Sequence, residues 1–261
     1  MIHIILIGDV IGKPGRQAVR ELLPGLRSEF QADLVIANAE NAAGGNGLTA
    51  SGAAELYNAG VNVLTSGNHI WKQREILDYM PYEPRLLRPA NYPKGAPGFS
   101  DYLWEKDEKR VAVLNLLGRV FMEPVDCPFR RADEEIETLR ELTPCIVVDF
   151  HAEATSEKVA MGWHLDGKVS AVCGTHTHVQ TADERILPKG TAYITDIGMS
   201  GPFDSVIGVT KGAILSRFLT ALPVKFDVAS HDVRLTGVKI TLDELTGKAL
   251  TIERFQRPLL K

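Results

Sequence analysis

The segment Gly174-Thr175-His176-Thr177-His178 places two histidines directly after a short apolar run, 170–173. The run predicts a buried strand, and residues two apart at a strand end can project their side chains to the same side. Imidazole is the commonest metal-binding side chain in proteins. The pair therefore indicates a metal site, although a single His-x-His pair also occurs on ordinary protein surfaces.

Metal-capable side chains also follow four other apolar runs, which end near residues 7, 37, 66 and 150. The alternatives are a helix cap, for an Asp or an Asn-His pair, and a salt-bridged loop residue for a Glu. Repetition at successive strand ends favours one shared site, because α/β sheets place ligands at the carboxyl ends of their strands. The candidate residues are Asp9, Glu40, Asn41, Asn68, His69, His151, His176 and His178.

The chemistry of these donors indicates which ions they can bind. Oxygen and imidazole donors without a thiolate suit manganese, iron or zinc. The candidates outnumber the ligands of one open catalytic site, so we expect two ions bridged by a carboxylate. Two metal ions about 3.5–4 Å apart can share an activated hydroxide and stabilise both ends of an in-line phosphoryl displacement. The residues thus predict a dinuclear site for phosphoryl chemistry.

Alternating strand and helix patterns predict an α/β fold that brings these strand ends together. Predicted strands cover 4–7, 33–37, 61–66, 145–150, 170–173 and 191–196. Predicted helices cover 14–27, 50–58, 71–79, 133–142 and 155–164, and Thr49 is the expected N-cap of the second. The pattern G-x-G-x-x-G does not follow the first run, which disfavours a nucleotide-binding Rossmann turn.

Antiparallel patterns occupy the middle and the end of the chain. Segments 100–104 and 110–114 predict a hairpin. Segments 224–228, 233–242 and 249–255 predict antiparallel strands that complete a second sheet packed on the first. Segment 198–202 is predicted as a loop, and 85–91 as a short strand followed by a loop. The fold class is therefore α/β, with two mixed β-sheets packed as a sandwich between flanking helices.

Composition excludes several classes of function. The net charge of −4 argues against strong nonspecific binding to nucleic acid or to an acidic membrane surface. No apolar run approaches the ~20 residues of a membrane span. The N-terminus lacks a basic segment and reaches Asp9 too early for a signal peptide. Three cysteines without C-x-x-C spacing fit reduced thiols. We expect one cytoplasmic domain over residues 1–261.

The order of these motifs resembles the calcineurin-like metallophosphoesterases, and more narrowly their bacterial YmdB-like subgroup. The resemblance covers nearly the whole chain and rests on segments 7–16, 38–43, 67–69, 88–91, 149–158, 174–182 and 187–196. Two positions depart from the wider superfamily. Ile11 stands where the first motif usually has a histidine, and Glu40 replaces the usual bridging aspartate. Both departures are typical of the YmdB-like subgroup.

The resemblance implies a four-layer fold and a role for each candidate. Glu40 would bridge two metal ions, iron or manganese with zinc as an alternative. Asp9, Asn41 and His178 would complete one site, and Asn68, His151 and His176 the other. A metal-bridging hydroxide would attack phosphorus, and His69 would act as general acid, since an uncoordinated imidazole can donate a proton near neutral pH. Candidate substrates are small phosphodiesters, namely 2′,3′- or 3′,5′-cyclic mononucleotides. A homo-oligomer is also implied.

Several assignments stay open at the level of sequence. Glu153 is either a support for the site or a surface charge, and His3, His164 and His231 are not expected to be ligands. No substrate-binding residue is assigned, but loops 44–47, 89–98 and 198–204 are candidates for substrate selection. Two alternative functions remain. One is a phosphomonoesterase or nucleotidase with the same metals, and the other is a regulatory protein that binds a nucleotide or an RNA-decay partner.

Overall fold

The computed structural model describes residues 1–260 and contains two mixed β-sheets with helices outside them. The strands are β1 (Ile2–Ile7), β2 (Asp9–Val10), β3 (Leu34–Asn38), β4 (Val63–Thr65), β5 (Asp101–Lys106), β6 (Lys109–Leu117), β7 (Ile146–His151), β8 (Ala171–Thr175), β9 (Arg185–Ile186), β10 (Ala192–Ile194), β11 (Met199–Pro202), β12 (Val233–Leu242) and β13 (Ala249–Pro258). The helices are α1 (Gly12–Glu29), α2 (Ala50–Asn58), α3 (Ile76–Tyr79), α4 (Pro128–Arg140), α5 (Thr155–Leu165) and α6 (Lys211–Thr220). No helix within residues 1–260 is long and apolar enough to cross a membrane.

The first sheet has the strand order β2-β11-β12-β1-β3-β4, with β13 paired to β12. The second has the order β5-β6-β7-β8-β10-β9. Strands β1, β3 and β4 run parallel in the first sheet, as do β6, β7, β8 and β10 in the second. Each sheet therefore has several parallel strands whose carboxyl ends lie along one edge.

The two sheets pack face to face because their inward side chains are continuously apolar. Along β1, Ile4 and Leu6 join a buried cluster with Val113 and Val147 of the second sheet. The alternate residues of β1 face α1 and α2 in another cluster, as the period of two in a strand requires. A third cluster lies between the second sheet and helices α4 and α5. The predicted four-layer α/β sandwich is confirmed.

Several predicted elements agree with the structure. Helix α2 has the predicted bounds, and the Thr49 side chain accepts a hydrogen bond from the Gly52 amide, as expected of an N-cap. The hairpin is β5–β6. The strands predicted before each candidate residue are β1, β3, β4, β7 and β8, with ends shifted by a few residues.

Three predictions about the C-terminal half are wrong. Strands β12 and β13 belong to the first sheet, because β12 pairs along the whole of β1. Segment 198–202 is not a loop, since β11 there bridges β2 and β12. Segment 224–228 is not a strand: it makes only a single bridge, between Val209 and Val228, and helix α6 before it was not predicted.

Two predictions in the first half are also wrong. The helix predicted over 71–79 is a 3₁₀ turn, Ile70–Lys72, followed by the four-residue helix α3. The backbone of Gln73 is extended between them, and its side chain donates to the Asn46 carbonyl. That contact with loop 44–47 favours the extended backbone of Gln73 over a continuous helix. The short strand predicted within 85–91 consists of two isolated bridges, at Leu86 and Leu87.

Candidate metal centre

The candidate residues converge where the carboxyl ends of strands from both sheets meet. Asp9 begins β2, directly after β1, and Glu40 lies two residues beyond β3. His69 follows β4 through a short turn. From the second sheet, His151 is the last residue of β7, and His176 follows β8. Parallel strands thus deliver these side chains to one edge, as the sequence predicts.

A cluster of three residues forms the centre of the site: Glu40 and His151 are buried, and His176 is partly exposed. One donor atom from each lies within 4.8 Å of the others. The Oε1 atom of Glu40 is 3.0 Å from Nε2 of His151. That Nε2 atom is in turn 3.0 Å from Nδ1 of His176. These donors can hold a metal ion.

Asp9 and His178 lie on one side of this cluster. The Oδ2 atom of Asp9 accepts a hydrogen bond from the His176 amide at 3.2 Å. The Oδ1 atom of Asp9 is 3.8 Å from His151 Nδ1 and 3.9 Å from His178 Nε2, beyond hydrogen-bond distance. His178 donates from Nδ1 to the Ile207 carbonyl at 3.0 Å, which leaves Nε2 facing the cluster.

Asn41 lies between the cluster and His69. Its Oδ1 atom accepts a hydrogen bond from Nδ1 of His69 at 2.8 Å. Its Nδ2 atom is 3.2 Å from His178 Nε2 and 3.3 Å from Glu40 Oε1. In this arrangement the amide oxygen orients His69, while the amide nitrogen faces the cluster. Only the amide oxygen can bind a metal ion, so ligation by Asn41 would require its amide to rotate and turn Oδ1 toward the cluster.

His69 is the most accessible imidazole of this part of the site, with 32% of its side chain exposed. Its backbone amide donates to Oε2 of Glu40 at 2.9 Å. Because Nδ1 is held by Asn41, the opposite ring nitrogen, Nε2, is available to a bound ligand. An imidazole fixed on one side and open on the other suits proton transfer.

Asn68 is adjacent along the chain, but its Oδ1 atom has no hydrogen-bond partner within residues 1–260. Its Oδ1 atom is nevertheless buried. The preceding Gly67 lies directly against the cluster, because a Cβ atom there would overlap the ring of His151 and the carboxylate of Glu40. Close backbone approach therefore requires glycine at this turn.

Residues Thr175–His178, here called the histidine turn, begin at the last residue of β8 and form the turn predicted after that strand. His176 and His178 have positive φ angles of 104° and 65°, so the two side chains are not placed by strand alternation. A buried ion pair supports the turn. Lys158 donates to the Thr175 carbonyl at 2.6 Å and to Asp196 at 2.5 Å, and Asp196 accepts from the Thr177 amide at 3.0 Å.

A chain of polar side chains also fixes the orientation of His151. The Thr175 hydroxyl donates to Asp149 at 2.7 Å and, as acceptor, faces Nδ1 of His151 at 2.9 Å. This arrangement keeps a proton on Nδ1 and directs Nε2 to the cluster, as metal-binding histidines require. The roles of Asp149 and Thr175 were not predicted. Asp149 and His151 are two residues apart and share one face of a strand, and this spacing could have indicated the role of Asp149.

Glu153 contacts the site directly: its Oε2 atom lies 3.0 Å from Nε2 of His176. The side chain is 50% exposed and orients the His176 ring from the solvent side. The remaining histidines lie elsewhere. His3 contacts Thr241, and His164 pairs with Asp133. His231 is exposed.

The charges of the cluster compensate one another. Burial raises the pKa of Asp9 to about 6. Burial also opposes the charged forms of Glu40 and His151, but their mutual attraction outweighs it, holding the pKa of Glu40 at about 2 and raising that of His151 to about 9. Burial together with the neighbouring His151 lowers the pKa of His176 to about 3. Burial likewise lowers the pKa of His69.

The donor set fits a metal ion on two further observations. The carboxylate atom Asp9 Oδ1 and the amide atom Asn68 Oδ1 are buried without a hydrogen-bond partner among residues 1–260. Such orphaned oxygens are costly unless a ligand satisfies them. The carboxylates near His151 stabilise its proton, and a metal cation could take the place of that proton, since metal binding to imidazole displaces protons.

The architecture and this donor cluster define the metallophosphoesterase-like fold class. The structure is similar to that of Haemophilus influenzae NAD nucleotidase, with a TM-score of 0.61 at 14% identity over 99% of this chain and 56% of that one. It is also similar to the structure of a novel phosphatase from Mycoplasma pneumoniae, with a TM-score of 0.93 at 39% identity over 98% of this chain and 93% of the other.

Sequence comparison gives the family. The sequence model of the YmdB-like proteins matches residues 5–255, so the chain belongs to the YmdB-like family. A curated relative from Bacillus subtilis, named 2′,3′-cyclic-nucleotide 2′-phosphodiesterase, is 51% identical over 252 residues, which are 97% of this chain and 96% of the relative. The resemblance noted from the motifs is confirmed.

Proposed function

We propose that the protein is a metal-dependent phosphodiesterase that hydrolyses 2′,3′-cyclic mononucleotides. The cluster of Glu40, His151 and His176, with His69 on its accessible side, is the observation that carries the proposal. The activity in the name of the Bacillus subtilis relative supports the substrate class, because the match covers almost the full length of both chains.

The metal ligands are assigned from this chain's own donors. Glu40 would be the shared carboxylate, because it lies between His151 on one side, at 3.0 Å, and Asn41 on the other, at 3.3 Å. The other assigned ligands are Asp9, Asn41, Asn68, His151, His176 and His178. When bound, two divalent or mixed-valence ions would supply Lewis-acid activation of water and charge stabilisation at the phosphoryl oxygens.

His69 performs the proton transfer in this proposal. The leaving ribose oxygen departs as an alkoxide unless it is protonated, and its high basicity makes general-acid catalysis effective. Asn41 Oδ1 accepts from Nδ1 of the ring, and the His69 backbone amide donates to the Glu40 carboxylate, so that Nε2 of the protonated imidazole can donate that proton. The buried network of Asp149 and Thr175 keeps a proton on Nδ1 of His151, so its Nε2 atom is the one that faces the cluster.

Product analysis tests this function. Metal-loaded protein is incubated with 2′,3′-cyclic AMP and, separately, with adenosine 3′-monophosphate, and phosphorus NMR follows the products. We expect ring opening to the 3′-monophosphate and much slower release of inorganic phosphate. Faster release of phosphate from the monoester than ring opening would instead favour a phosphomonoesterase. Binding of the cyclic nucleotide with no turnover at all would favour a regulatory protein.

Four finer features belong to the same proposal. We assign iron or manganese to the site, with zinc as the alternative, because its donors are oxygen and imidazole. Residues 1–261 are proposed to fold as one domain, which would unfold in a single transition. A cytoplasmic homo-oligomer completes the proposal. Metal analysis of protein from its native host, unfolding curves, cell fractionation and light scattering would test these four points in turn.

A further inference from the structure

An apolar hollow opens beside the candidate metal centre. Its volume is about 420 Å³, within the range of about 300–1,000 Å³ for small-molecule sites. One end is formed by Asn41, His69 and His178 of the metal centre. The wall of the hollow is mostly apolar and includes Ile11, Ile207, Val209, Phe226 and Val228. A ligand whose phosphate lies at the metal centre would therefore extend an adjoining group into this hollow.

Two large side chains of the wall are left half exposed. Phe226 retains 50% of its surface and Ile207 retains 52%. Neither is needed to complete the cores of the two sheets, whose residues lie in other clusters. An aromatic face exposed at the edge of a polar site can bury its surface against a flat ligand. The composition of the wall thus favours an aromatic or otherwise apolar substituent.

Ile207 also links the hollow to the metal centre. Its φ angle is 46°, a region that β-branched residues rarely adopt because the Cβ substituents crowd the backbone. Its carbonyl accepts the hydrogen bond from His178 Nδ1 at 3.0 Å. Backbone strain of this kind is concentrated at ligand-binding sites. The same residue therefore orients a candidate metal ligand and presents its side chain to the hollow.

A second hollow, of about 620 Å³, is a weaker candidate for the same ligand. Of the assigned site residues it touches His178 alone. Its wall also contains Glu184 and Arg254, which form an ion pair at 2.7 Å. Because these two charged side chains already pair with each other, they offer little apolar surface and few free hydrogen-bonding groups to an uncharged ring. The smaller hollow contacts three residues of the centre and is the more apolar of the two.

We propose that the smaller hollow binds the nucleobase of the substrate and that Phe226 stacks on it. The proposal rests on the phosphodiesterase function proposed above. Every base presents a flat π-face, so a single aromatic side chain with aliphatic neighbours binds bases without strong discrimination among them. The subsite would then select nucleotides over phosphodiesters that lack a base, whereas the metal centre would act on the phosphodiester of either.

The test compares a nucleotide with a substrate that lacks the base. The substrates are 2′,3′-cyclic AMP and methyl β-ribofuranoside 2,3-cyclic phosphate, and kcat/KM is measured for metal-loaded wild type, Phe226→Ala and Ile207→Asn. Asparagine tolerates the positive φ of position 207. The control is Phe218→Ala, since Phe218 on α6 is 80% exposed and does not line the hollow. Calorimetry of adenosine 3′-monophosphate, with inorganic phosphate as reference, gives binding without turnover.

We compare kcat/KM for 2′,3′-cyclic AMP with kcat/KM for the substrate that lacks the base, as the ratio of the first to the second. We expect Phe226→Ala to lower this ratio about 5- to 150-fold, the range for loss of one base–aromatic stack. Affinity for adenosine 3′-monophosphate should fall in parallel, Ile207→Asn should lower the same ratio, and Phe218→Ala should change neither. An unchanged ratio and unchanged affinity in Phe226→Ala would overturn the nucleobase subsite. If wild type hydrolyses neither cyclic phosphate, the phosphodiesterase function fails, and the calorimetric comparison alone decides the subsite.

Discussion

Replacement of Lys158 by methionine removes the ammonium group from beneath the histidine turn. Lys158 and its partner Asp196 are both about 1% exposed, and their charged atoms are 2.5 Å apart. Methionine keeps much of the length of the side chain and none of its charge. The variant therefore leaves the Asp196 carboxylate buried without its cation and removes one of the two donors to the Thr175 carbonyl, the other being the Ala152 amide.

The expected cost follows from that geometry. Loss of one partner from a buried ion pair destabilises a protein by about 3–5 kcal/mol. The free energy of unfolding of proteins of ordinary stability is about 5–15 kcal/mol, so Lys158→Met should lose a large share of it. The control is Lys168→Met, which breaks a pair with Asp133 at 2.8 Å in which both side chains are nearly half exposed. Surface pairs of this kind contribute about 0–1 kcal/mol.

Equilibrium unfolding in urea, followed by circular dichroism, measures both variants. A double-mutant cycle with Asp196→Asn should give a double variant that is less destabilised than the sum of the single variants, because removing both charges leaves neither unpaired. Because the pair holds the backbone on both sides of His176, Lys158→Met should also bind divalent metal more weakly. A loss of stability no larger than that of Lys168→Met would refute the role given to this pair.

Three further substitutions probe single contacts of the site. His69→Ala should lower kcat about 10²–10⁴-fold on 2′,3′-cyclic AMP. The loss should be much smaller on bis(4-nitrophenyl) phosphate, because its leaving group needs no proton. Equal losses on the two substrates would exclude the acid role. Glu153→Ala removes the carboxylate that contacts Nε2 of His176 and should weaken metal affinity about 10-fold in a competition titration. Unchanged affinity would show that Glu153 is only a surface charge. Gly67→Ala should abolish metal binding while circular dichroism remains native, since its Cβ overlaps His151; wild-type metal content would contradict the close packing.

The sequence predicted which side chains converge better than it predicted the pairing of the strands. Apolar runs that end in donors place Asp9, Glu40 and His151 correctly, because parallel strands share one edge whatever their order. The patterns of β12 and β13 indicate antiparallel strands but do not specify a partner. Either sheet could accept them, and only the long pairing of β12 with β1 decides between the two.

The supports of the histidine turn could not be predicted in the same way. A lysine in a helix pattern indicates a solvent-exposed face, yet Lys158 is buried because Asp196, 38 residues further along the chain, lies opposite it. The positive φ angles of His176 and His178 likewise arise from tertiary contacts, not from local preference, since histidine favours negative φ. Long-range polar contacts of this kind leave no periodic signal in the sequence.

The central claim is that a metal ion bound around Glu40 is required for phosphodiester hydrolysis. The most direct test measures metal content and hydrolysis of bis(4-nitrophenyl) phosphate in the same samples of wild type and Glu40→Gln, before and after chelation and reconstitution with manganese or iron. We predict that wild type loses activity on chelation and regains it with metal, whereas folded Glu40→Gln retains neither metal nor activity. Hydrolysis by Glu40→Gln at the wild-type rate, or wild-type activity that survives complete chelation, would contradict the account.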